Sequence, residues 1–172
     1  KQRTAEEAFE LARLTATADG DDAALPAVEE IVATSPDYAP AQYELGRILA
    51  RRSDDRCLAH LQRAMDLDVE AVMPAGAIAL DYLDRQGRSS ERERFLKRMD
   101  QAGVILDAAS KERQTFTKND RLRPHDFNQE LIDGIGNILA EHRAVAAAYL
   151  VEKHVEHLPE RRCFILAAIY KP

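Results

Sequence analysis

The stretch Gln42–Leu49, which reads QYELGRIL, and the stretch Cys57–Asp68, which reads CLAHLQRAMDLD, decide the fold of this chain of 172 residues. A polar turn, Ser53–Asp55, separates them. In both stretches apolar residues recur at helical spacing, so the pattern predicts two helices joined by a tight turn. The small residues Gly46 and Ala64 would let the two helices approach closely, while leucine side chains fill the space between them.

The same register recurs on both sides of this pair. A shift of 34 residues upstream takes Leu45 to Leu11 and predicts a first helical pair whose polar turn lies at 19–22. A shift downstream reaches Ile78–Ala79 and predicts a third pair whose turn lies at 86–88. Both flanking copies match the central one less well. The sequence therefore predicts three successive helical pairs.

On these residues the chain resembles tetratricopeptide repeat (TPR) proteins, in which helix–turn–helix units of about 34 residues stack into an array. The resemblance implies a mostly α fold with about three helix pairs. The stretch 103–118 keeps a helical period but is polar, and it predicts a further helix that caps the end of the stack. We therefore assign residues 1–118 to TPR-like repeats.

Residues 119–172 change character and predict a small helix–strand–strand tail. Asp126 is the expected N-cap of a helix over 127–141. Two apolar stretches, Ala144–Val155 and Cys163–Tyr170, then predict an antiparallel hairpin with no third strand. Because two strands are marginally stable alone, three arrangements stay open. The hairpin packs on the helical array, or it pairs with a second copy to form a homodimer through the C-terminal strand, or the domain continues past the end of the sequence.

The tail also resembles one found in bacterial TPR proteins, over Asp120–His125, Ala148–Lys153 and Pro159–Arg161. Some of those proteins carry a membrane-bound zinc peptidase with an HExxH motif ahead of the repeats. No HExxH occurs in this sequence, so no metal ligand of that peptidase is assigned to a residue here. The resemblance implies an alternative function, in which the chain is the C-terminal regulatory or substrate-presenting portion of a larger membrane-associated zinc metallopeptidase.

Charge and composition exclude several classes of protein. Residues 1–84 carry 8 Lys/Arg and 17 Asp/Glu, a net charge of −9, whereas 85–103 carry 6 and 3 (+3) and 104–172 carry 10 and 10 (0). An acidic first half argues against binding nucleic acid, because that affinity depends on neutralising phosphates. The longest uncharged apolar run, Ala144–Val151, is too short to span a bilayer. We expect no membrane insertion of this segment and a cytoplasmic location, unless a segment ahead of Lys1 directs the protein elsewhere.

The sequence holds no arrangement typical of a catalytic or metal site. His154 and His157 lie three residues apart at a predicted strand end, which does not place both rings on one side. Cys57 and Cys163 are predicted to be buried and inert, and Cys57 as a nucleophile would need His60 as its base. We expect no cofactor, no metal and no enzymatic activity. A small enzyme with its site between the repeats and the tail is a third hypothesis.

In a TPR array the first helix of each pair lines a concave groove, and the resemblance therefore implies a partner-binding site. Arg13 and Arg47 are 34 residues apart, so they would stack one repeat above the other, beside aromatic side chains. Such a surface suits an acidic or carboxylate-ended peptide. The alternative is that both arginines are ordinary surface residues paired with Glu10 and Glu44. We predict a non-enzymatic module that binds a peptide or partner protein. The predicted groove residues are Phe9, Arg13, Tyr43, Arg47, Leu80 and Leu83.

Overall fold

The computed structural model describes residues 3–171, and the chain divides into two compact units, residues 1–106 and 107–172. The α-helices in the described part are α1 (Ala5–Asp19), α2 (Asp21–Thr34), α3 (Ala39–Arg51), α4 (Cys57–Leu67), α5 (Val72–Arg85), α6 (Arg92–Gln114) and α7 (Gln129–Glu141). The strands are β1 (Leu122–Pro124), β2 (Val145–Lys153) and β3 (Cys163–Tyr170).

The first unit is a TPR-like array of helix pairs, as predicted. α1 packs against α2 and α3 packs against α4, and successive pairs meet where α2 contacts α3 and α4 contacts α5. The turns that join the helices of a pair are short, so neighbouring helices run antiparallel. One apolar core runs through the unit, and its largest fully buried side chains include Tyr82, Phe95, Ile48, Leu49 and Leu61.

The two helices of the central pair approach each other closely at Gly46. A Cβ there would lie 2.7 Å from Leu61 Cγ and 3.1 Å from the Leu61 backbone nitrogen. α3 can therefore approach α4 only because residue 46 has no side chain. Ala64, the second small residue singled out by the sequence, is fully buried. In the third pair a Cβ at Gly76 would lie 2.5 Å from the sulfur of the flexible Met99 side chain, and the sequence pattern did not identify this contact.

One continuous helix replaces two predicted ones. α6 runs unbroken from Arg92 to Gln114, so the separate capping helix expected over 103–118 is wrong. Gly103 lies inside α6 and does not end it, because a single glycine costs a helix only about 1 kcal/mol relative to alanine. The expected boundary after residue 118 falls inside the second unit, which begins at Asp107.

The second unit contains an antiparallel sheet with the strand order β1-β2-β3. β3 has the predicted bounds, and β2 lies within the predicted Ala144–Val155. The expectation of no third strand is wrong, because β1 pairs with the end of β2 and places Arg123 opposite Glu152. β1 has only three residues and includes Pro124, so it carries no strand signal of its own. Its strand character comes from pairing with β2.

The start of α7 also differs from the prediction. The N-cap is Asn128, whose side-chain oxygen accepts a hydrogen bond from the backbone N–H of Leu131 at 2.9 Å. The predicted cap, Asp126, instead forms an ion pair with Arg162 at 2.7 Å. Asp and Asn are similarly good N-caps. Asp126 is thus engaged by an arginine that is distant in sequence, and Asn128 caps the helix.

A buried carboxylate ties the ends of the three strands together. Glu152 on β2 is buried, and it forms ion pairs with Arg123 on β1 and with Arg162 just before β3. Hydrogen bonds from Arg162 and Arg123 lower the pKa of Glu152 to about 2. The carboxylate is therefore charged at neutral pH and holds both arginines, as a buried charge must be paired.

The end of α6 belongs to this unit through polar contacts. The guanidinium of Arg113 donates to the carbonyls of His157 at 2.9 Å, Leu158 at 2.8 Å and Arg161 at 2.8 Å. Leu158 has a φ of 54°, a left-handed conformation that is unfavourable for a branched side chain. Three donors from one side chain hold this turn in place. The ammonium of Lys153 similarly donates to two carbonyls near the end of α6.

Candidate partner-binding site

The structure places the six predicted groove residues in different environments. Phe9 on α1, Tyr43 on α3 and Leu80 on α5 are half-buried, so each presents part of its side chain to solvent. Leu83 is fully buried in the core and offers no surface to a ligand. Leu80 and Leu83 are three residues apart, which rotates them by about 60° around the helix axis. That rotation is enough to separate a surface position from a core position.

Phe9 and Tyr43 have distinct aromatic surroundings. The ring of Phe9 meets the ring of Tyr38 edge-on, with centroids 5.6 Å apart, so Phe9 is partly occupied by a contact within the unit. Tyr43 borders a shallow cavity of about 220 Å³ between the start of α3 and the start of α5. The other residues that line this cavity are Ala39, Pro40, Asp68, Glu70, Ala71 and Pro74.

Arg13 and Arg47 differ in how firmly they are held. The side chain of Arg13 is 59% exposed and pairs with Glu10 at 3.0 Å, whereas that of Arg47 is 19% exposed. Arg47 pairs with Asp21 at 2.6 Å and with Glu44 at 2.5 Å. The two arginines therefore already pair with Glu10 and Glu44, as the alternative interpretation of the sequence held. Arg47 is also engaged by a second carboxylate, that of Asp21, which the sequence did not indicate.

The Arg47–Asp21 ion pair joins two repeats. Asp21 is the first residue of α2, and it accepts hydrogen bonds from Arg47 and from Arg51, both on α3. The hydrogen bond from Arg47 is the main cause of the lowered pKa of Asp21. The predicted binding residue Arg47 is thus part of the contact that fixes the second helical pair against the first.

An equivalent contact joins the second pair to the third. Asp55, in the turn between α3 and α4, accepts a hydrogen bond of 2.6 Å from the hydroxyl of Tyr82 on α5. The guanidinium of Arg88 reaches the same carboxylate at 2.6 Å. The hydrogen bond to Asp55 and burial of the ring raise the pKa of Tyr82 to about 12. Each repeat is therefore fixed to its predecessor at the turn.

Cys57 is enclosed in the core, and His60 is hydrogen-bonded to a glutamine. Cys57 is fully buried, as predicted, and burial raises the pKa of its thiol to about 11. The Nδ1 atom of His60 lies 2.8 Å from the Gln42 side-chain oxygen, and burial lowers the pKa of this imidazole. A thiol with a raised pKa is a poor nucleophile at neutral pH. Cys163, predicted to be buried, is half-buried because it starts the edge strand β3.

The second unit contains a cleft that the sequence did not reveal. It has a volume of about 430 Å³ and lies between α7 and the sheet, with lining residues that include Ile132, Ile135, Leu139, Leu150 and Leu166. The alanines of β2 opposite α7 are too small to fill the space. The run of small residues at Ala146–Ala148 on β2, beside an apolar helix, was the available signal.

The histidines of the tail are not brought together. His154 is exposed, and Nδ1 of His157 lies 3.3 Å from a carboxylate oxygen of Glu112. Over residues 3–171, no group of three or more His, Cys, Asp or Glu side chains could hold a metal ion. Within the same range no helix combines the length and the apolar character needed to cross a membrane.

The solved structures that this chain resembles include two of MamA. One match has a TM-score of 0.49 and 19% identity and covers 59% of this chain and 59% of that chain. The other also has a TM-score of 0.49 and 19% identity, and covers 66% of this chain and 61% of that chain. The chain thus spans about three fifths of the length of each. No protein-family model matches the sequence, and no curated protein matches it. The helices and strands of this chain themselves therefore establish its class, a TPR-like helical array followed by a small α+β unit.

Proposed function

We propose that the helical array is a non-enzymatic interaction module that binds a peptide or a partner protein along its first helices. The observation that carries this proposal is Tyr43, a half-buried aromatic residue beside an open cavity of about 220 Å³. Aromatic side chains with one face exposed are frequent anchors of protein interfaces, because they bury much area with little loss of conformational freedom. Phe9 and Leu80 add apolar surface on α1 and α5.

The surroundings of the arginines favour an apolar peptide over a purely acidic one. A guanidinium binds a carboxylate through two parallel hydrogen bonds, but the donors of Arg47 are already engaged by Asp21 and Glu44. Only Arg13, whose ion pair is exposed, exchanges its partner at little cost. The net charge of −9 over residues 1–84 also favours partners without excess negative charge. We therefore propose a peptide with apolar side chains and few or no acidic ones.

Selection of peptides from a random display library on the whole chain tests this function. Replacement of Tyr43 by Ala should weaken the binding of a selected peptide by about thirtyfold, the effect of losing one central aromatic anchor. Tyr149→Ala is the matched control, because Tyr149 is an exposed tyrosine in the second unit. Equal binding by the Tyr43→Ala variant and the original chain would reject this site. Failure to select any peptide would reject the function.

Two further predictions from the sequence stay proposals. The link to a membrane-associated zinc metallopeptidase is supported by the resemblance of the tail sequence alone. A cytoplasmic location is supported only by composition. Detection of an HExxH domain in the same polypeptide in its native source would favour the first and argue against the second.

A further inference from the structure

We infer that β3 is a dimerisation edge, which pairs antiparallel with β3 of a second copy of this chain to form one continuous six-stranded sheet. This inference is independent of the proposed peptide site, because every residue that carries it lies in the second unit. It starts from the strand order β1-β2-β3. β3 pairs with β2 on one side, and no other described strand lies on its outer side.

The outer edge of β3 has none of the features that normally prevent strand pairing. Its eight residues, Cys163–Tyr170, include no charged residue and no proline. The opposite edge of the sheet is β1, which is three residues long, ends in Pro124 and carries Arg123. Short length, proline and positive charge are the usual means of protecting an edge. One edge of this sheet is therefore protected and the other is open.

The side chains of β3 are also more exposed than an apolar strand of a finished sheet would be. Leu166, Ile169 and Tyr170 are 48%, 51% and 67% exposed. These residues are divided between the two faces, because successive residues of a strand point to opposite sides. A partner that covers only one face would leave some of them in water. A neighbouring strand covers part of both faces at once.

A second copy is favoured because the sequence of β3 is self-complementary. Antiparallel pairing around a two-fold axis perpendicular to the sheet puts residues of the same face opposite each other. With Ala167 on the axis, Ile165 lies opposite Ile169 of the second copy and Phe164 lies opposite Tyr170 of the second copy. Each of these β-branched and aromatic pairs occurs twice by symmetry, and such pairs stabilise neighbouring strands. No charge lies within the paired ladder.

The oligomeric state of the whole chain, measured by analytical ultracentrifugation, tests this inference. The chain should be a dimer, and Ala167→Lys should raise its dissociation constant by about tenfold or more, because two like charges then face each other across the axis. Ala167 is exposed, so the variant should keep its fold and its circular dichroism. Tyr149→Lys is the control, since it adds the same charge on β2, one strand away from the edge. It should leave the dissociation constant unchanged.

Cross-linking gives a second, independent readout. In a Cys163→Ser background, oxidation of Ala167→Cys should give a disulfide-linked dimer, whereas Tyr149→Cys should not. If the two-fold axis passes through Leu166 instead of Ala167, the two copies of residue 166 face each other. A cross-link through Leu166→Cys would therefore also support pairing through β3. A chain that is monomeric at every concentration overturns the inference. A dimer that Tyr149→Lys dissociates but Ala167→Lys does not, or that neither edge cysteine cross-links, overturns it as well.

Discussion

Asp21 and Asp55 lie 34 residues apart, and each accepts hydrogen bonds from side chains of the following helical pair. Arg47 and Arg51 reach Asp21, and Tyr82 and Arg88 reach Asp55. The repeat therefore extends beyond the packing of small residues to the polar contacts between its units. The donors differ: two guanidinium groups reach Asp21, whereas a phenol and a guanidinium reach Asp55. The acceptor position is what the two repeats share.

Tyr82→Phe tests the second of these contacts. The variant keeps the buried ring but loses the hydrogen bond to the Asp55 carboxylate, so we expect it to lower the free energy of unfolding at neutral pH by about 1.5–3 kcal/mol. The pKa of Tyr82 is raised from 10.0 to about 12. The stabilisation is therefore fully present below pH 10.0 and is lost as the pH rises toward about 12. Urea unfolding at neutral and alkaline pH measures both effects.

The control for this prediction is Tyr149→Phe, which changes an exposed hydroxyl for which no hydrogen bond is found in the described structure. It should leave the unfolding free energy at neutral pH unchanged. A Tyr82→Phe variant as stable as the original chain at neutral pH would show that the bond to Asp55 contributes nothing.

A matched pair of glycine substitutions tests the close approach of α3 and α4. Gly46→Ala places a methyl group against Leu61, and we expect a net destabilisation of about 1–3 kcal/mol from overpacking. Gly103→Ala lies in open space within α6, and the better helix propensity of alanine should stabilise the protein by about 1 kcal/mol. The same chemical change thus has opposite signs at two helical positions. Urea unfolding of both variants would contradict this prediction if Gly46→Ala were the more stable one.

Substitution of Arg47 and of Arg13 tests whether each arginine stabilises the fold or is an ordinary surface residue. Arg47→Ala removes a half-buried guanidinium bonded to Asp21 and Glu44, and we expect it to lower the unfolding free energy by about 1.5–3 kcal/mol. Arg13→Ala removes an exposed ion pair and should change it by less than about 0.5 kcal/mol. Thermal denaturation compares the two variants directly. Equal losses of stability would mean that the Arg47 contact is no stronger than a surface pair.

We expect the stability of the second unit to fall at acidic pH because of Glu152. Its pKa is lowered from 4.5 to about 2 by hydrogen bonds from Arg162 and Arg123. A carboxylate with a lowered pKa contributes stability that is fully present above pH 4.5 and is lost as the pH falls toward about 2. The Glu152→Gln variant should therefore be less stable than the original chain at neutral pH. The difference should shrink on acidification.

The measurement is the unfolding free energy of both proteins over this pH range, with unfolding monitored by a spectroscopic signal from the sheet. Asp126→Asn is a useful comparison, because Asp126 pairs with the same Arg162 but is exposed. A constant difference between the Glu152→Gln variant and the original chain at every pH would contradict the assignment.

The helical part could be predicted from the sequence because its contacts are local and periodic. Leu11 and Leu45 show the repeat, and the six helices that follow from it are found in the structure. The burial of Leu83 was missed because helical positions three residues apart differ by only about 60°, and a sequence pattern resolves a face no more finely than that. The engagement of Arg47 by Asp21 was missed because it joins residues 26 positions apart.

In the tail, too, the sequence predicted elements with a strong local signal and missed those that depend on distant residues. β3 was predicted with its observed bounds because eight consecutive uncharged residues are a strong local signal. β1 was missed because its three residues become a strand only through pairing with β2. Asp126, the expected cap of α7, pairs instead with Arg162, which lies in the turn between the two strands of the predicted hairpin. Short segments whose conformation is set by distant partners have no local signature.

The hydrogen bonds from Arg113 to the turn that precedes β3 determine where a fragment of the C-terminal unit should begin. A fragment that begins at residue 119, where the sequence changes character, would lack this arginine. The carbonyls of His157, Leu158 and Arg161 would then lose the hydrogen bonds from this guanidinium. The turn that contains Leu158 in its left-handed conformation would lose that support. A fragment that begins at Asp107 keeps the guanidinium and also the carbonyls that receive Lys153. A fragment made to study the C-terminal unit should therefore include the last turns of a helix whose sequence looks like part of the repeats.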